Sequence, residues 1–224
     1  MFEKLRRLDL PKKKVQLLRR SSPTRPSIYI IEEDGCRAVV KDYSENRFLY
    51  RNLIGRFLVW REEKAYRRLR RMAGVPVLYR VMDGLVLLLE EIPGKSLEEV
   101  RDTDRLPQAF FQKLRLMVKA FHRRGVCHCD LKRAANVLIG PGGNPYVLDW
   151  SAAILEREFR FFPLTLVYQR FLLDDYNAVT KFQLRHCPET VGPESKKRYL
   201  HRSRTERGIR SLRDRLREFL QRMA

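Results

Sequence analysis

The sequence has few of the features that mark membrane-spanning, secreted or repeat proteins. Its longest strongly apolar run, residues 85–89, is far shorter than the ~20 residues that a spanning helix needs. The four cysteines form no CxxC pair, and the basic start of the chain lacks the apolar core of a signal peptide. No internal repeat or low-complexity linker is present. These absences favour a protein of the reducing cytoplasm.

Acidic residues are scarce relative to basic ones. The chain contains 47 Lys and Arg against 27 Asp and Glu, for a net charge of +20. The excess is concentrated at the ends, with +7 in residues 1–27 and +8 in residues 195–224. Such a surface attracts polyanions, for example an anionic membrane face, a phosphorylated glycolipid or nucleic acid. A solvated basic face without a specific partner is the alternative.

The first part of the chain is predicted to form an antiparallel sheet. Residues 27–32 and 36–41 have the composition of strands and are separated by an Asp-Gly turn, so a hairpin ends on Lys41. Residues 77–90 contain two further apolar strands around a second Asp-Gly turn. With 44% apolar residues in a chain of 224, we expect one compact unit with two lobes.

Helices are predicted around and beyond this sheet. Residues 57–72 form an amphipathic pattern in which Glu62 lies on the apolar face. Ser96 followed by Glu99 is a capping-box pattern, which predicts a short helix between the lobes. A longer core helix is expected over residues 107–124.

The second half of the chain combines short strands with apolar helices. Two short strands, VLI and YVL, are predicted on either side of a Pro-Gly-Gly-Asn turn. Residues 159–173 form an apolar segment broken at Pro163, for which a core helix is favoured over lipid contact. A terminal helix after Gly208 would carry one apolar stripe among arginines, which suits docking on its own domain or on an anionic membrane.

Several polar residues next to these elements match the requirements of phosphoryl transfer. That reaction needs cations on the phosphates of ATP, oxygen ligands for Mg²⁺ and a carboxylate that deprotonates the attacking hydroxyl. The chain offers these groups in order: Val39-Val40-Lys41, Glu62, His128-Cys129-Asp130-Leu131-Lys132 through Asn136, and Val147-Leu148-Asp149-Trp150. Together they resemble the protein-kinase-like superfamily over about residues 27–154. The resemblance is closer to compact bacterial branches, including RIO-type kinases and lipopolysaccharide core sugar kinases, than to eukaryotic protein kinases.

The resemblance implies a role for each matching residue. Lys41 would hold the α- and β-phosphates of ATP, and Glu62 would orient Lys41. Asp130 would be the catalytic base, with Lys132 close to the γ-phosphate. The remaining implied roles are metal binding by Asn136 and Asp149, adenine contact through the backbone of a hinge from Glu90 to Ile92, and bracing of the catalytic loop by His128.

The sequence departs from the family pattern at three places. No GxGxxG precedes Lys41, and residues 21–27 would have to offer hydroxyls, amides and Arg25 to phosphate instead. The interval from Asp130 to Asn136 is one residue longer than usual, so either a bulge absorbs the extra residue or Asn136 misses the metal. Ser151 occupies a position where glycine is usual, which predicts a segment less suited to a large flip.

Cys127, His128 and Cys129, with His122 nearby, form a second cluster of chemically reactive side chains. Neighbouring residues in an extended loop diverge, and the usual two-residue spacer of zinc ligands is missing. A zinc site is therefore the less favoured interpretation of this cluster.

We expect an α+β, two-lobed, protein-kinase-like fold whose mainly helical C-lobe lacks a full peptide-substrate platform. The expected boundaries are a basic segment with the first strand over 1–26, an N-lobe over 27–91, and a C-lobe over 92–224 that ends in a basic amphipathic helix. Only 75 residues follow Asp149, and they contain no APE-like signature.

The expected activity is ATP- and Mg-dependent phosphorylation of an alcohol. The leading acceptor is a sugar hydroxyl of lipopolysaccharide or another lipid-linked glycan, in a cytoplasmic protein that binds peripherally to an anionic membrane surface. One alternative is a RIO-like serine/threonine protein kinase, and another is a pseudokinase that binds a polyanionic partner. A nucleic-acid-binding module ranks last because no reading motif is present. The sequence does not indicate an oligomeric state.

Overall fold

The computed structural model describes residues 2–101 and 104–200. Its first part is a five-stranded antiparallel sheet with one long helix, and its second part is mainly helical with two small sheets. The strands are β1 (Lys14–Arg19), β2 (Ser27–Glu33), β3 (Cys36–Asp42), β4 (Leu78–Met82), β5 (Val86–Glu90), β6 (Lys95–Ser96), β7 (Val126–Cys127), β8 (Val137–Ile139), β9 (Pro145–Val147) and β10 (Ile154–Leu155). The α-helices are α1 (Arg56–Arg68), α2 (Gln108–Arg123), α3 (Leu164–His186) and α4 (Pro193–Leu200).

The large sheet has the strand order β1-β2-β3-β5-β4. β2 and β3 form the predicted hairpin, in which Asp34 and Gly35 adopt positive φ at the turn. Lys41 pairs with Ile28 on one side and with Leu87 of β5 on the other, so it lies on a central strand. β1 continues the sheet beyond β2, and the sequence analysis assigned it to the basic N-terminal segment.

Helix α1 packs against this sheet and continues a helical segment that begins before it. Helical structure begins at Phe48, passes through a π-helical segment at Tyr50–Gly55 and continues in α1. The predicted helix over 57–72 therefore starts too late and ends too late, because the last residues form turns after Arg68. Glu62 is fully buried on the inner face, as the amphipathic pattern predicts.

The short helix predicted after Ser96 is wrong. The backbone N–H of Ser96 donates to Glu99 Oε2 at 2.7 Å, which is one of the two bonds of a capping box. The Ser96 hydroxyl also donates to Glu99 Oε2, at 2.8 Å, instead of accepting from Glu99 N. Ser96 belongs to β6, however, where it pairs with Leu138 of β8. The chain closes a single turn after β6, through a hydrogen bond from Glu99 N to Ser96 O at 3.0 Å, and does not continue into a helix.

The main apolar core is a continuous cluster that runs from the large sheet into the helical part, and a second, small cluster contains Cys127, Ile154 and Tyr168. The core helix predicted over 107–124 is present as α2, with Phe111, Leu114 and Val118 fully buried. In the apolar segment 159–173, α3 buries Tyr168, whereas Phe161 and Phe162 are 79% and 82% exposed. The start of that segment is therefore surface and not core.

No helix within the described ranges is both long and apolar enough to cross a membrane. The predicted basic amphipathic helix after Gly208 lies outside the described residues.

Candidate active site

Lys41 and Glu62 form a buried ion pair. Lys41 Nζ lies 2.7 Å from Glu62 Oε2, and the two side chains are 6% and 0% exposed. The pair joins the central strand β3 to the inner face of α1. Burial raises the pKa of Glu62 to about 7, although Lys41 opposes this rise. The neighbouring Glu63 is instead paired with Arg67 on the surface, so the helix register assumed from the sequence is correct.

Asp149 is the second carboxylate on Lys41. Its Oδ1 lies 2.7 Å from Lys41 Nζ and also accepts a hydrogen bond from Ser151 Oγ at 2.7 Å. Burial opposes the charge on Lys41, but the carboxylates of Asp149 and Glu62 raise the pKa of this lysine well above its usual value. Burial alone would raise the pKa of Asp149. The positive charge of Lys41 instead holds the pKa of Asp149 below its ordinary range, so Asp149 is ionised at neutral pH.

Asp130 lies in the loop after β7, close to the same group of charges. Burial raises the pKa of Asp130, and Asp149 adds to this rise, while Arg133, His128 and Lys132 oppose it. Arg133 Nε is 3.2 Å from Asp130 Oδ2. A partly buried carboxylate with a raised pKa suits a general base near neutral pH. Arg133 is a contact that the sequence analysis did not anticipate.

Asn136 lies beside Asp130 despite the longer interval between the two residues. Asn136 Nδ2 donates to the backbone oxygen of Asp130 at 3.0 Å, and Leu148 N donates to Asn136 O at 2.9 Å. A 3₁₀ turn at Ala134–Asn136 absorbs the extra residue. Asn136 is therefore held between the Asp130 loop and the strand that precedes Asp149, with its amide oxygen not used in the bond to Asp130.

Lys132 projects from the same loop as Asp130. Its backbone oxygen accepts a hydrogen bond from Lys181 Nζ at 3.3 Å, which ties the loop to α3. Its positive charge lowers the pKa of Asp130, so the two residues are close enough to interact. The structure therefore brings together Lys41, Glu62, Asp149, Asp130, Asn136 and Lys132.

His128 connects the two loops that carry the aspartates. Its Nε2 donates to Leu148 O at 2.9 Å, and its Nδ1 accepts from Asp130 N at 3.3 Å. The ring is buried and lies 4.7 Å from the ring of Trp150. His128 thus braces the loop, as the sequence analysis expected. Cys129 and Asp149 both have positive φ, a strained conformation that is common at functional sites.

Asp175 of α3 forms hydrogen bonds to the loop that carries Asp130, and the sequence did not point to it. Its carboxylate accepts four hydrogen bonds, from Cys127 Sγ, His122 Nε2, His128 N and Cys129 N. The potential ligand atoms of His122, Cys127 and Asp175 lie within 4.8 Å of one another. Burial raises the pKa of the Cys127 thiol well above its ordinary value, so the protonated donor form is favoured over the thiolate that binds metals. This cluster is a hydrogen-bonded anchor for the loop.

The predicted hinge lies where β5 leaves the large sheet. Glu90 N donates to Val77 O at 2.8 Å, and Glu90 Oε2 accepts from Val77 N, so Glu90 is occupied by the neighbouring strand. Within the described part of the chain, the backbone of Ile92 makes no hydrogen bond. Between Glu90 and Ile92, it is thus Ile92 whose backbone groups are available for hydrogen bonds to an adenine ring.

The turn between β1 and β2 takes the place of a glycine-rich loop. Ser22 and Arg25 pair with each other through their backbones, so these two amides are not free for a phosphate. Asn46 Nδ2 donates to Ser22 O and Arg25 O, and Tyr50 OH donates to Thr24 O at 2.7 Å. These bonds hold the turn to the segment that leads into α1.

The site has the donor set of a divalent-cation and phosphate site. Asp149 offers an ionised carboxylate and Asn136 offers an amide oxygen, which are ligands that Mg²⁺ prefers. Lys41 supplies a buried cation beside them. The residues present therefore fit a metal-bound nucleoside triphosphate.

We expect Glu62→Gln to lower activity by about 10- to 100-fold, because a charge-assisted hydrogen bond of about 1.5–3 kcal/mol to Lys41 is weakened. Glu63→Gln is the matched control on the same helix, and it should leave activity unchanged because Glu63 pairs with Arg67 at the surface, away from Lys41. Steady-state phosphotransfer assays of both variants, with thermal unfolding to check folding, make the comparison. Equal activities of the two variants would remove Glu62 from the site.

The chain was compared with protein families and known structures. The family model of the RIO domain matches residues 37–188, which is more than half of the chain. No curated protein matches the chain significantly in sequence.

Two solved structures from Chaetomium thermophilum have the same fold. The crystal structure of its Rio2 kinase superposes with a TM-score of 0.59 at 16% sequence identity, covering 84% of this chain and 64% of that one. The Rio2 kinase-ADP/Mg²⁺-phosphoaspartate complex gives a TM-score of 0.57 at 16% identity, with coverage of 84% and 62%. The chain thus spans less than two thirds of the length of these kinases. The α+β, kinase-like fold class predicted from the sequence is confirmed.

Proposed function

Because this chain belongs to the RIO domain family, we propose that it is an ATP- and Mg²⁺-dependent phosphotransferase that acts on a hydroxyl group. The observation that carries the proposal is Lys41, which is held at 2.7 Å by both Glu62 and Asp149 next to Asp130 and Asn136. The ADP and Mg²⁺ named in the Rio2 kinase complex support the choice of nucleotide and metal.

In this proposal each residue of the site has one task. Lys41 binds the α- and β-phosphates, and Glu62 keeps its ammonium group in place. Asn136 and Asp149 hold Mg²⁺, which when bound neutralises charge on the phosphates. Lys132 stabilises the charge of the γ-phosphate, and the backbone between Glu90 and Ile92 contacts the adenine.

Asp130 completes the reaction as the general base. It accepts the proton of the acceptor hydroxyl while the hydroxyl oxygen forms a bond to the γ-phosphorus and the bond to the β-phosphate oxygen breaks, which releases ADP. Asp175 and His128 accept hydrogen bonds from backbone N–H groups of the Asp130 loop and so keep this loop in position before substrate binds.

For the acceptor we propose a sugar hydroxyl of lipopolysaccharide or another lipid-linked glycan. Only a 3₁₀ turn at Glu156–Phe159 and a few further residues separate β10 from α3, which leaves little chain for a peptide platform. The net charge of +20 favours an anionic acceptor at the cytoplasmic face of a membrane.

A serine or threonine of a protein is the second candidate acceptor. The RIO domain match and the fold shared with Rio2 kinase favour it. A third candidate, a pseudokinase, is favoured by the absence of a GxGxxG loop and by the ion pair between Arg133 and Asp130.

Mass spectrometry separates these candidates. The protein is incubated with ATP and Mg²⁺ together with lipopolysaccharide core glycolipids or with a mixture of dephosphorylated proteins. We expect phosphate on a sugar, and Asp130→Asn is the control that shows the activity belongs to this chain. Phosphate only on serine or threonine would replace the sugar acceptor by the protein acceptor. Nucleotide binding without any product would contradict the enzyme and support the pseudokinase.

A further inference from the structure

The outer face of the helix that starts at Phe48 and includes α1 is unusually apolar. Surface helices ordinarily present polar residues to solvent, and the inner face here already fills the core through Tyr50, Val59 and Tyr66. Four large side chains nevertheless follow one another along the outer face with helical spacing and exposures of 48–68%, and we call them the apolar stripe: Leu49, Leu53, Phe57 and Trp60. A contiguous exposed surface of this kind marks a site of interaction.

The helical segment that carries the stripe is itself basic. Residues 46–61 contain four arginines and neither Asp nor Glu. Arg51 donates to Ser44 O and Arg56 donates to Asp83 O, and neither has a carboxylate partner among the described residues. These bonds to carbonyl groups leave the positive charges of the two side chains uncompensated.

Cations also lie over the aromatic rings of this helix. Lys64 Nζ is 4.0 Å from the centre of the Trp60 ring, and the Arg61 guanidinium is 5.6 Å from that of Phe57. Basic groups at the edge of an apolar surface can reach phosphates while their stems cover apolar area. The face thus combines apolar bulk with basic side chains at its rim, of which Arg61 and Lys64 are paired with Glu158.

A second exposed apolar pair lies close to the end of α1. Lys64 and Arg61 both contact Glu158, which fixes the segment after β10 against the helix. Phe161 and Phe162 follow three and four residues later and are 79% and 82% exposed. Two further exposed rings thus lie within four residues of a position that is fixed to α1.

We propose that the apolar stripe binds the surface of an anionic lipid bilayer, with its side chains at the level of the headgroups. Trp and Phe flanked by Arg and Lys are typical of helices that lie in this interface. Nucleic acid fits less well, since Leu49 and Leu53 offer no ring for stacking on bases. The basic segment after Gly208 is a poor occupant as well, because it would bring further arginines to an already cationic face.

The inference deepens the proposed function, because it places the site next to a lipid-linked acceptor. Glu62 lies on the inner face of the same helix whose outer face would touch the membrane. Vesicle binding is nevertheless measured without ATP, so it fails or succeeds independently of the phosphotransfer reaction.

Tryptophan fluorescence provides a probe within the unmodified protein. The chain has two tryptophans, of which Trp150 is fully buried and Trp60 is 48% exposed. On adding vesicles of phosphatidylglycerol and phosphatidylcholine we expect a blue shift of the emission and quenching by lipids brominated on their acyl chains. Pure phosphatidylcholine should give a much smaller response. Trp60→Phe should remove the shift while the protein still sediments with the anionic vesicles.

Substitution of the stripe tests its contribution to binding. The triple variant Leu53→Ser, Phe57→Ser and Trp60→Ser should bind anionic vesicles at least about tenfold more weakly, because most of the inserting apolar area is removed. The matched control is Leu8→Ser with Leu116→Ser, at residues that are 77% and 66% exposed elsewhere, and it should bind like the original. Thermal unfolding checks the fold of both variants.

Three outcomes would overturn the inference. One is equal binding of the stripe variant and the control. Another is a Trp60 that brominated lipids do not quench, a result that needs no variant. The third is a stripe variant whose vesicle binding is unchanged but which has lost affinity for RNA or no longer sediments as a dimer. The stripe would then bind nucleic acid in the first case and a second copy of the chain in the other.

Discussion

Asp130→Asn should lower the rate of phosphotransfer by at least about 100-fold and leave nucleotide affinity nearly unchanged. The substitution removes the only carboxylate of the Asp130 loop and keeps the size of the side chain. Asn136 bonds to the backbone oxygen of Asp130 and not to its side chain, so the loop should keep its shape. The hydrogen bonds of His128 and Cys129 to Asp175 are also preserved.

Single-turnover assays and titration with a fluorescent ATP analogue measure the two quantities separately. Asp34→Asn is the matched control, since Asp34 is exposed in the β2–β3 turn and Asn tolerates its positive φ. Wild-type turnover in Asp130→Asn would remove this residue from the role of base. A lower affinity for nucleotide with an unchanged chemical step would make it a binding residue instead.

Asp149→Asn should abolish the strengthening of nucleotide binding by Mg²⁺ and reduce phosphotransfer by about 100-fold or more, since a metal ion contributes several kcal/mol to this chemistry. Asparagine is the informative replacement because Asp149 has a φ of 59°, which Asn adopts more readily than Ala. The Lys41–Glu62 pair should survive in this variant, because Glu62 is an independent partner of Lys41.

Nucleotide titrations with and without Mg²⁺ measure the effect. Asp83→Asn is the control, as Asp83 also has positive φ but lies exposed at the β4–β5 turn. If nucleotide binding by Asp149→Asn still responds to Mg²⁺ as the original does, the metal is held elsewhere. Loss of all nucleotide binding, in contrast, would indicate that the variant has also displaced Lys41.

The sequence was most informative where function depends on short-range patterns. The first Asp-Gly turn placed Lys41 at the end of a hairpin strand, and helical periodicity placed Glu62 on the inner face of α1. The ion pair between them then follows, because a helix packed on a sheet brings its inner face to the central strand.

Contacts between distant parts of the chain could not be obtained in this way. Asp175 accepts hydrogen bonds from residues about 50 positions earlier, and nothing in the local pattern of α3 distinguishes it from Asp174, which pairs with Arg170. A buried acid on an apolar helix is a weak signal until its donors are known. The ion pair of Arg133 with Asp130 was missed for a similar reason, because it depends on the 3₁₀ turn at Ala134–Asn136.

Local signals were also overridden by tertiary structure. Ser96 and Glu99 form one of the two bonds of a capping box, but Ser96 belongs to β6 and the chain after it closes one turn only. The apolar residues at the outer face of α1 have the same helical spacing as core residues, so this spacing alone did not show that Phe57 and Trp60 remain exposed.

The setting of Trp150 has a pharmacological consequence. Its indole is fully buried, lies 5.0 Å from the ring of Phe121 and donates to Val147 O at 3.2 Å. Turning the segment after Asp149 outwards would expose this side chain at a cost of about 3 kcal/mol or more, which leaves the outward state under about 1% populated. Compounds that require the vacated indole pocket would meet this penalty in full. Competitive inhibitors shaped for the adenine and phosphate positions are therefore the better starting point for a chemical probe.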